Sequence, residues 1–255
     1  MRAIIKVLIV CYSVTNLISC GPILYSTVGQ NVPLLQEKGE FSGQIGYGES
    51  SGVWSANGAG IQGAYAVSKN VGVISSFYSL GSDRDEDYDW QGKGSYFELG
   101  AGIFGGIQNS KFRFEGFGGL GTGSIKNKSL ERNSDFINVK YIKPFVQPSL
   151  AFSSKYFELA VTPRIVYLSY TSRDDFFFTP TADQINPNQF FDKNHNKIVF
   201  EPGIMIRGGF PGAKLELQYN FSNLKEASKE QSVIHNNYFS IGLRFVFANR
   251  TLEKE

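Results

Sequence analysis

The chain has 255 residues, with 28 Gly, 22 Phe and 13 Tyr but only two His, two Met and two Cys. That mixture suits an all-β protein whose strands approach closely and whose rings sit at boundaries. Its 25 basic and 23 acidic residues nearly balance, which argues against a nucleic-acid partner, and two cysteines are too few for a disulfide framework.

The first stretch, MRAIIKVLIVCYSVTNLISC, has a basic start at Arg2 and Lys6 and an apolar run from Val7 to Val14. A transmembrane helix needs about 20 apolar residues, so residues 1–19 read as a secretory signal peptide. Leu17, Ile18 and Ser19 before Cys20 resemble the lipobox of bacterial lipoproteins. The resemblance implies cleavage before Cys20 and acylation of its thiol and new amine, an anchor worth about 0.8 kcal/mol per buried methylene. Cys11 would leave with the signal peptide, and the loss of Arg2 and Lys6 would leave as many bases as acids, 23 of each. By the sorting rules of such lipoproteins, Gly21 after the cysteine favours the outer membrane. The lack of any acid before Glu37 argues against display of the anchor on the cell surface.

Residues 20–40 are expected to form a lipidated tether with a short plug-like or capping segment. A β-barrel domain follows over 41–247, and 248–255 is a hydrophilic C-terminal tail. Apolar and polar residues alternate at 41–49, 59–67, 71–80, 95–106, 111–122, 140–152, 156–170, 198–208, 213–221 and 237–247, predicting about ten strands and no helix. The connections alternate long and short, as in an antiparallel up-and-down β-barrel with short periplasmic turns and long external loops. An even strand count returns both ends of the barrel to the short-turn rim, the side of an anchor in the inner leaflet.

One strand face carries Glu98, Lys111, Arg113, Glu115, Lys143, Gln147, Glu158, Arg164, Glu201, Arg207, Lys214, Glu216, Gln218 and Arg244. A charge facing the bilayer midplane costs about 2 to 4 kcal/mol, so in a membrane these residues point inward. Arg113, Arg164, Arg207 and Arg244 are expected to neutralise Glu98, Glu115, Glu158, Glu201 and Glu216 in a packed lumen, as in small OmpA/OmpX-type barrels. Two alternatives remain: a small pore lined by these charges, and a lipocalin-like soluble barrel with an apolar interior for a hydrophobic ligand. Against the latter stand the strand count, the lack of a helix, and the places of Trp54 and Trp90 in or beside long loops. Aromatics at strand ends, among them Tyr47, Tyr65, Tyr78, Tyr96, Tyr141, Tyr167, Tyr170, Tyr219 and Tyr238, are expected to form membrane-interface girdles.

In the last strand, Ser240, Gly242, Phe245 and Phe247 resemble the C-terminal insertion signal read by the outer-membrane assembly machinery, although the tail ANRTLEKE extends beyond it. With Cys20 and the glycine-rich meander, the chain resembles lipid-anchored outer-membrane β-barrel proteins of Gram-negative bacteria. That resemblance implies outer-membrane lipid and the assembly machinery as partners, and a structural or loop-presenting role in adhesion or envelope contact.

No catalytic, metal or cofactor site is expected. The acidic loop holds Asp83, Asp85, Glu86, Asp87 and Asp89, but His235 has no carboxylate within two residues, and His195, near Asp192, sits in a long loop. An omptin-like rim protease therefore lacks an oriented histidine. Two strings resembling calcium loops lack the required glycine, having Tyr88 and Lys197 there, and the terminal acid, having Gly94 and Gly203. Loop 171–197, with Phe176, Phe177, Phe178, Phe190 and Phe191, is the candidate surface for an external ligand or partner and is expected to fold over the mouth as a lid.

Overall fold

The computed structural model describes residues 22–51, 55–82, 90–108, 110–130, 134–176, 191, 193–224 and 234–247. A two-residue strand, β1 (Tyr25–Ser26), precedes β2 (Phe41–Ser51), β3 (Ser55–Ala66), β4 (Val71–Ser82), β5 (Trp90–Gly106), β6 (Phe112–Ser129) and β7 (Phe136–Ser153). Then come β8 (Phe157–Phe176), β9 (Asn196–Phe210), β10 (Ala213–Phe221), the short β11 (Ile234–His235) and β12 (Asn237–Phe247). The long strands form an all-β, closed antiparallel barrel of ten strands in chain order, sealed where β12 meets β2 through Phe247↔Phe41 and Asn237↔Ser51. Among the described residues, helical geometry is confined to Phe191, Lys193 and Asn194, and no helix is long and apolar enough to cross a membrane.

Strict alternation builds the wall. In β10 the exposed positions are Ala213, Leu215, Leu217, Tyr219 and Phe221, and the buried ones are Lys214, Glu216, Gln218 and Asn220. Val146 (62 % exposed), Leu150, Ile165 and Ile204 belong to the same continuous apolar outer face. A surface of this extent and hydrophobicity is built for a bilayer and is the reverse of a lipocalin-like barrel. The void expected of a lipocalin is missing too, because the interior holds charged side chains and a segment of the chain itself.

The strands run further than alternation predicts, and in one direction. β5 begins at Trp90 instead of 95, β6 ends at Ser129 instead of 122, β7 begins at Phe136 instead of 140, and β8 reaches Phe176 instead of 170. The first connection shrinks to 52–54, which breaks the strict long-short order. Loop 171–197 correspondingly narrows to 177–195. These additions lie at the rim bearing 177–195 and 222–236, here termed the loop rim. The opposite turn rim has only 67–70, 107–111, 154–156 and 211–212.

The extra residues escaped prediction because the two faces exchange character. Along β6 the outward residues pass from Phe112, Phe114 and Leu120 to Lys126 and Lys128, while the inward ones pass from Glu115 to Ile125. β7 does the same, with Lys140 outward and Ile137 and Val139 inward. Near this boundary, between Lys140 and Tyr141, the β7–β8 register shifts by one residue, a bulge of the kind that bends a barrel wall.

Five of the expected girdle tyrosines, Tyr78, Tyr96, Tyr141, Tyr170 and Tyr238, are buried inside. Parity decides this: Tyr96 lies two residues from Glu98 and must share its face. Glycines on the neighbouring strand make the room. A Cβ at Gly121 would stand 2.0 Å from the Tyr96 hydroxyl, and one at Gly123 2.2 Å from the Tyr141 ring. Tyr47, Tyr65, Tyr167 and Tyr219 do face outward.

Candidate functional site: a lumen filled by the chain's own amino-terminal segment

Residues 22–35 are buried throughout and pass down the axis of the barrel. Their contacts follow in order from one rim to the other. At the loop rim the Ile23 N–H donates to Asn127 Oδ1 (2.9 Å), and Asn127 Nδ2 donates back to Ile23 O (2.8 Å). Tyr170 donates to Leu24 O (2.9 Å), and β1 pairs in parallel with β11. Ser26 and Ser50 hydroxyls meet at 2.9 Å. Midway, the Gln30 N–H donates to Gln218 Oε1 and Gln218 Nε2 donates to Gln30 O, both at 2.7 Å. Gln147 Nε2 donates to Asn31 O (2.7 Å). Near the turn rim Arg207 Nη2 donates to Val32 O (2.5 Å), and the Leu35 N–H donates to Glu115 Oε1 (2.9 Å). The chain then emerges at Gln36, turns, and enters β2 after Glu40, whose carboxyl burial holds above its usual range.

An extended segment with no partner strand along most of its length leaves its backbone N–H and C=O groups to be satisfied by side chains. The inward polar face of the barrel supplies these bonds. The apolar residues Ile23, Leu24, Tyr25 and Val28 pack with Trp90, Ile125, Ile137, Val139 and Tyr170 in one core near the loop rim. Val32 and Leu34 join Ala151, Ala160 and Met205 in a smaller one. Leu34 adopts a left-handed backbone (φ 54°) where the segment turns toward its exit.

The charges form two groups. In the first, Arg164 (1 % exposed) binds Glu98 at 2.7 Å and lies 3.8 Å from Glu201, while Lys143 binds Glu201 at 3.0 Å. The Tyr25 hydroxyl from the plug donates to Glu201 and accepts from Lys143, and the Arg164 guanidinium sits 4.1 Å over the Phe145 ring. In the second, Arg207 binds Glu216 (2.5 Å) and Glu158 (3.2 Å), and Lys214 also binds Glu158 (2.5 Å). Each group thus has its own lysine, Lys143 or Lys214, besides the expected arginines.

Three expected members stand elsewhere. Arg113 is half-buried at the turn rim, donates to Gln36 (3.1 Å) and forms no ion pair with the lumen acids among the described residues, because β6 begins one residue before it. Glu115 is buried but is spent on the plug backbone at Leu35. Arg244 donates through Nε to Ser42 (2.6 Å), and its Nη1 and Nη2 find no hydrogen-bond partner among the described residues. In β12, Ser240 and Gly242 face inward, whereas Phe245 and Phe247 face outward, Phe247 lying 6.2 Å from Phe41 across the seam. Cys20, the signal peptide, Asp83 to Asp89, Asp192, residues 177–190 and the tail lie outside the described residues. Of the expected lid, Phe191 is buried against Tyr170 (5.0 Å) and Phe176 is exposed.

A void lined by Ile23, Val28, Tyr96, Ile125 and Tyr141 measures about 20 Å³, room for about one water. A vestibule of about 760 Å³ opens where the chain leaves the lumen, beside Gln36, Glu40, Arg113 and Phe247.

No protein-family model matches this chain, and no curated protein matches it in sequence. Solved structures similar to it are outer-membrane barrels. The attachment invasion locus protein Ail of Yersinia pestis is 16 % identical, covering 82 % of this chain and 99 % of its own, with a TM-score of 0.36. The outer membrane protease OmpT of Escherichia coli is 12 % identical over 82 % and 94 %, with a TM-score of 0.44. The translocator domain of the autotransporter NalP of Neisseria meningitidis is 12 % identical over 83 % and 90 %, with a TM-score of 0.40.

Proposed function

We propose that this protein is an outer-membrane β-barrel, lipid-modified at Cys20, that seals its lumen with its own residues 22–35 and serves as a non-enzymatic, non-conducting scaffold for its external loops. The observation that carries the reading is the filled lumen. Except for Arg244, the buried inward charges of the expected network are paired with one another or hydrogen-bonded to the plug backbone. The apolar outer wall supports the membrane placement, and the wide loops 177–195 and 222–236 on one rim supply the presented surface. Outer-membrane lipid and the assembly machinery are the partners this role requires, and the adhesive or envelope contact falls to the loops.

Purified protein in planar bilayers tests it. The expected result is heat-modifiable migration in detergent gels, as a closed barrel gives, with negligible single-channel conductance. A stable conductance of porin size in the unaltered chain overturns the scaffold reading. Migration unchanged by heating overturns the membrane barrel.

A further inference from the structure

We infer that the chain threads its own barrel from outside to inside, so that the anchor on Cys20 is held on the external side of the membrane. The inference rests on the acylation and outer-membrane placement proposed above and reverses the side expected both from strand count and from the lack of any acid before Glu37. An even number of strands does return Phe41 and Phe247 to the turn rim, where they pair. Before Phe41, however, the chain has already crossed the barrel in the opposite sense. Ile23 is fastened to Asn127 at the loop end of β6, Ser26 to Ser50 at the loop end of β2, and Leu35 to Glu115 near the turn end of β6. Barrels of this type carry their wide loops outside and their short turns in the periplasm, so Pro22 stands at the external mouth.

Chain length fixes the consequence for the anchor. Cys20 is two residues from Pro22, a reach of about 7 Å at most, whereas the path from Ile23 to Gln36 spans up to about 45 Å when extended. Two residues cannot bring an acyl group back to the inner leaflet. Nor can acyl chains follow the segment through a lumen in which Arg164, Arg207, Lys143 and the segment itself are packed to near-complete burial. The barrel must therefore close around the segment, and the β12–β2 seam, adjoining the segment's exit at Glu40, is the natural last closure.

The test uses the full chain in a Gram-negative host, with an epitope inserted between Gly21 and Pro22. Fatty-acid labelling, antibody binding to intact and to permeabilised cells, and heat-modifiable migration are read together. Labelled protein whose epitope is bound on intact cells supports the inference. Labelled protein whose epitope is reached only after permeabilisation overturns the inference and leaves the lipid reading standing. An external epitope on unlabelled protein overturns the anchor while leaving the threading intact. A second variant guards against misfolding by the insertion: Ser26→Cys with Ser50→Cys should form a disulfide in the folded barrel, since the two hydroxyls lie 2.9 Å apart. A heat-modifiable barrel in which that disulfide fails to form overturns the threading itself.

Discussion

Two sections of one barrel obey opposite rules. From the turn rim up to the level of Tyr141 the wall is apolar outside and charged inside, with Val146, Leu150 and Ile165 facing out and Arg164, Glu201 and Arg207 facing in. Beyond that level Lys93, Lys126, Lys128 and Lys140 face out, and Ile125, Ile137 and Val139 face in. The same strands run through both sections, so the difference lies in the surroundings. In the membrane placement proposed above, the first section has hydrocarbon outside and the second has water or lipid headgroups. The plug mirrors the change, with Ile23, Leu24 and Tyr25 in the apolar section and Gln30 and Asn31 deeper among polar side chains. The polarity switch therefore marks where the bilayer ends.

The comparison can be broken most severely in the charged lumen. Arg207→Ala strands Glu216, leaves Glu158 with Lys214 as its one ion-pair partner among the described residues, and leaves Val32 O without its donor. Removing one partner of a buried group costs about 3 to 5 kcal/mol, so the unfolding midpoint in detergent or lipid should fall clearly. An unchanged midpoint would mean that water hydrates these charges. The next largest effect contrasts two positions on the outward face of β7. Val146→Lys should destabilise by about 2 to 4 kcal/mol, as for a lysine near the midplane, whereas Lys140→Val should stay within about 0.5 kcal/mol. Equal effects at both sites, measured by unfolding in vesicles, would remove the proposed boundary.

Gly121→Val tests the interior on a smaller scale. The added side chain meets the Tyr96 hydroxyl, which itself donates to Glu98, and overpacking of this kind costs about 1 to 3 kcal/mol. The smallest effect is expected on the outer wall beyond the bilayer, where Lys93 and Lys126 lie directly opposite across β5 and β6. Like charges so placed are unfavourable, so Lys93→Glu should stabilise the fold by about 0.2 to 1 kcal/mol at low salt, and added salt should erase the gain. A gain that survives high salt would point to packing rather than charge.

What could be read from sequence was what is local. Period-two alternation identified the long strands and their sequential order because each strand pairs with its chain neighbours, and it assigned Glu98, Glu158, Arg164, Glu201, Arg207 and Glu216 to the parity that the barrel turns inward. Alternation failed in Gly123 to Ser129 and Phe136 to Val139 because the hydrophobic signal changes face within a strand, and a search for one apolar face ends the strand at that point. The expectation of aromatic girdles at strand ends, not alternation, misassigned Tyr96 and Tyr141, whose room is made by Gly121 and Gly123 on the adjacent strand.

Only tertiary structure revealed how residues 22–35 lie, which lysine joins which acid, and why Glu115 serves a backbone amide instead of an arginine. The plug is wrapped on every side by the barrel, so it has no solvent face and leaves no period in its sequence. Its direction through the lumen depends on contacts such as Ile23 with Asn127 and Leu35 with Glu115, separated by 104 and 80 positions in the chain. Pattern within a short window reports the solvent that each residue meets, and a segment whose entire environment is the rest of the protein has its place decided by the closure of the barrel around it.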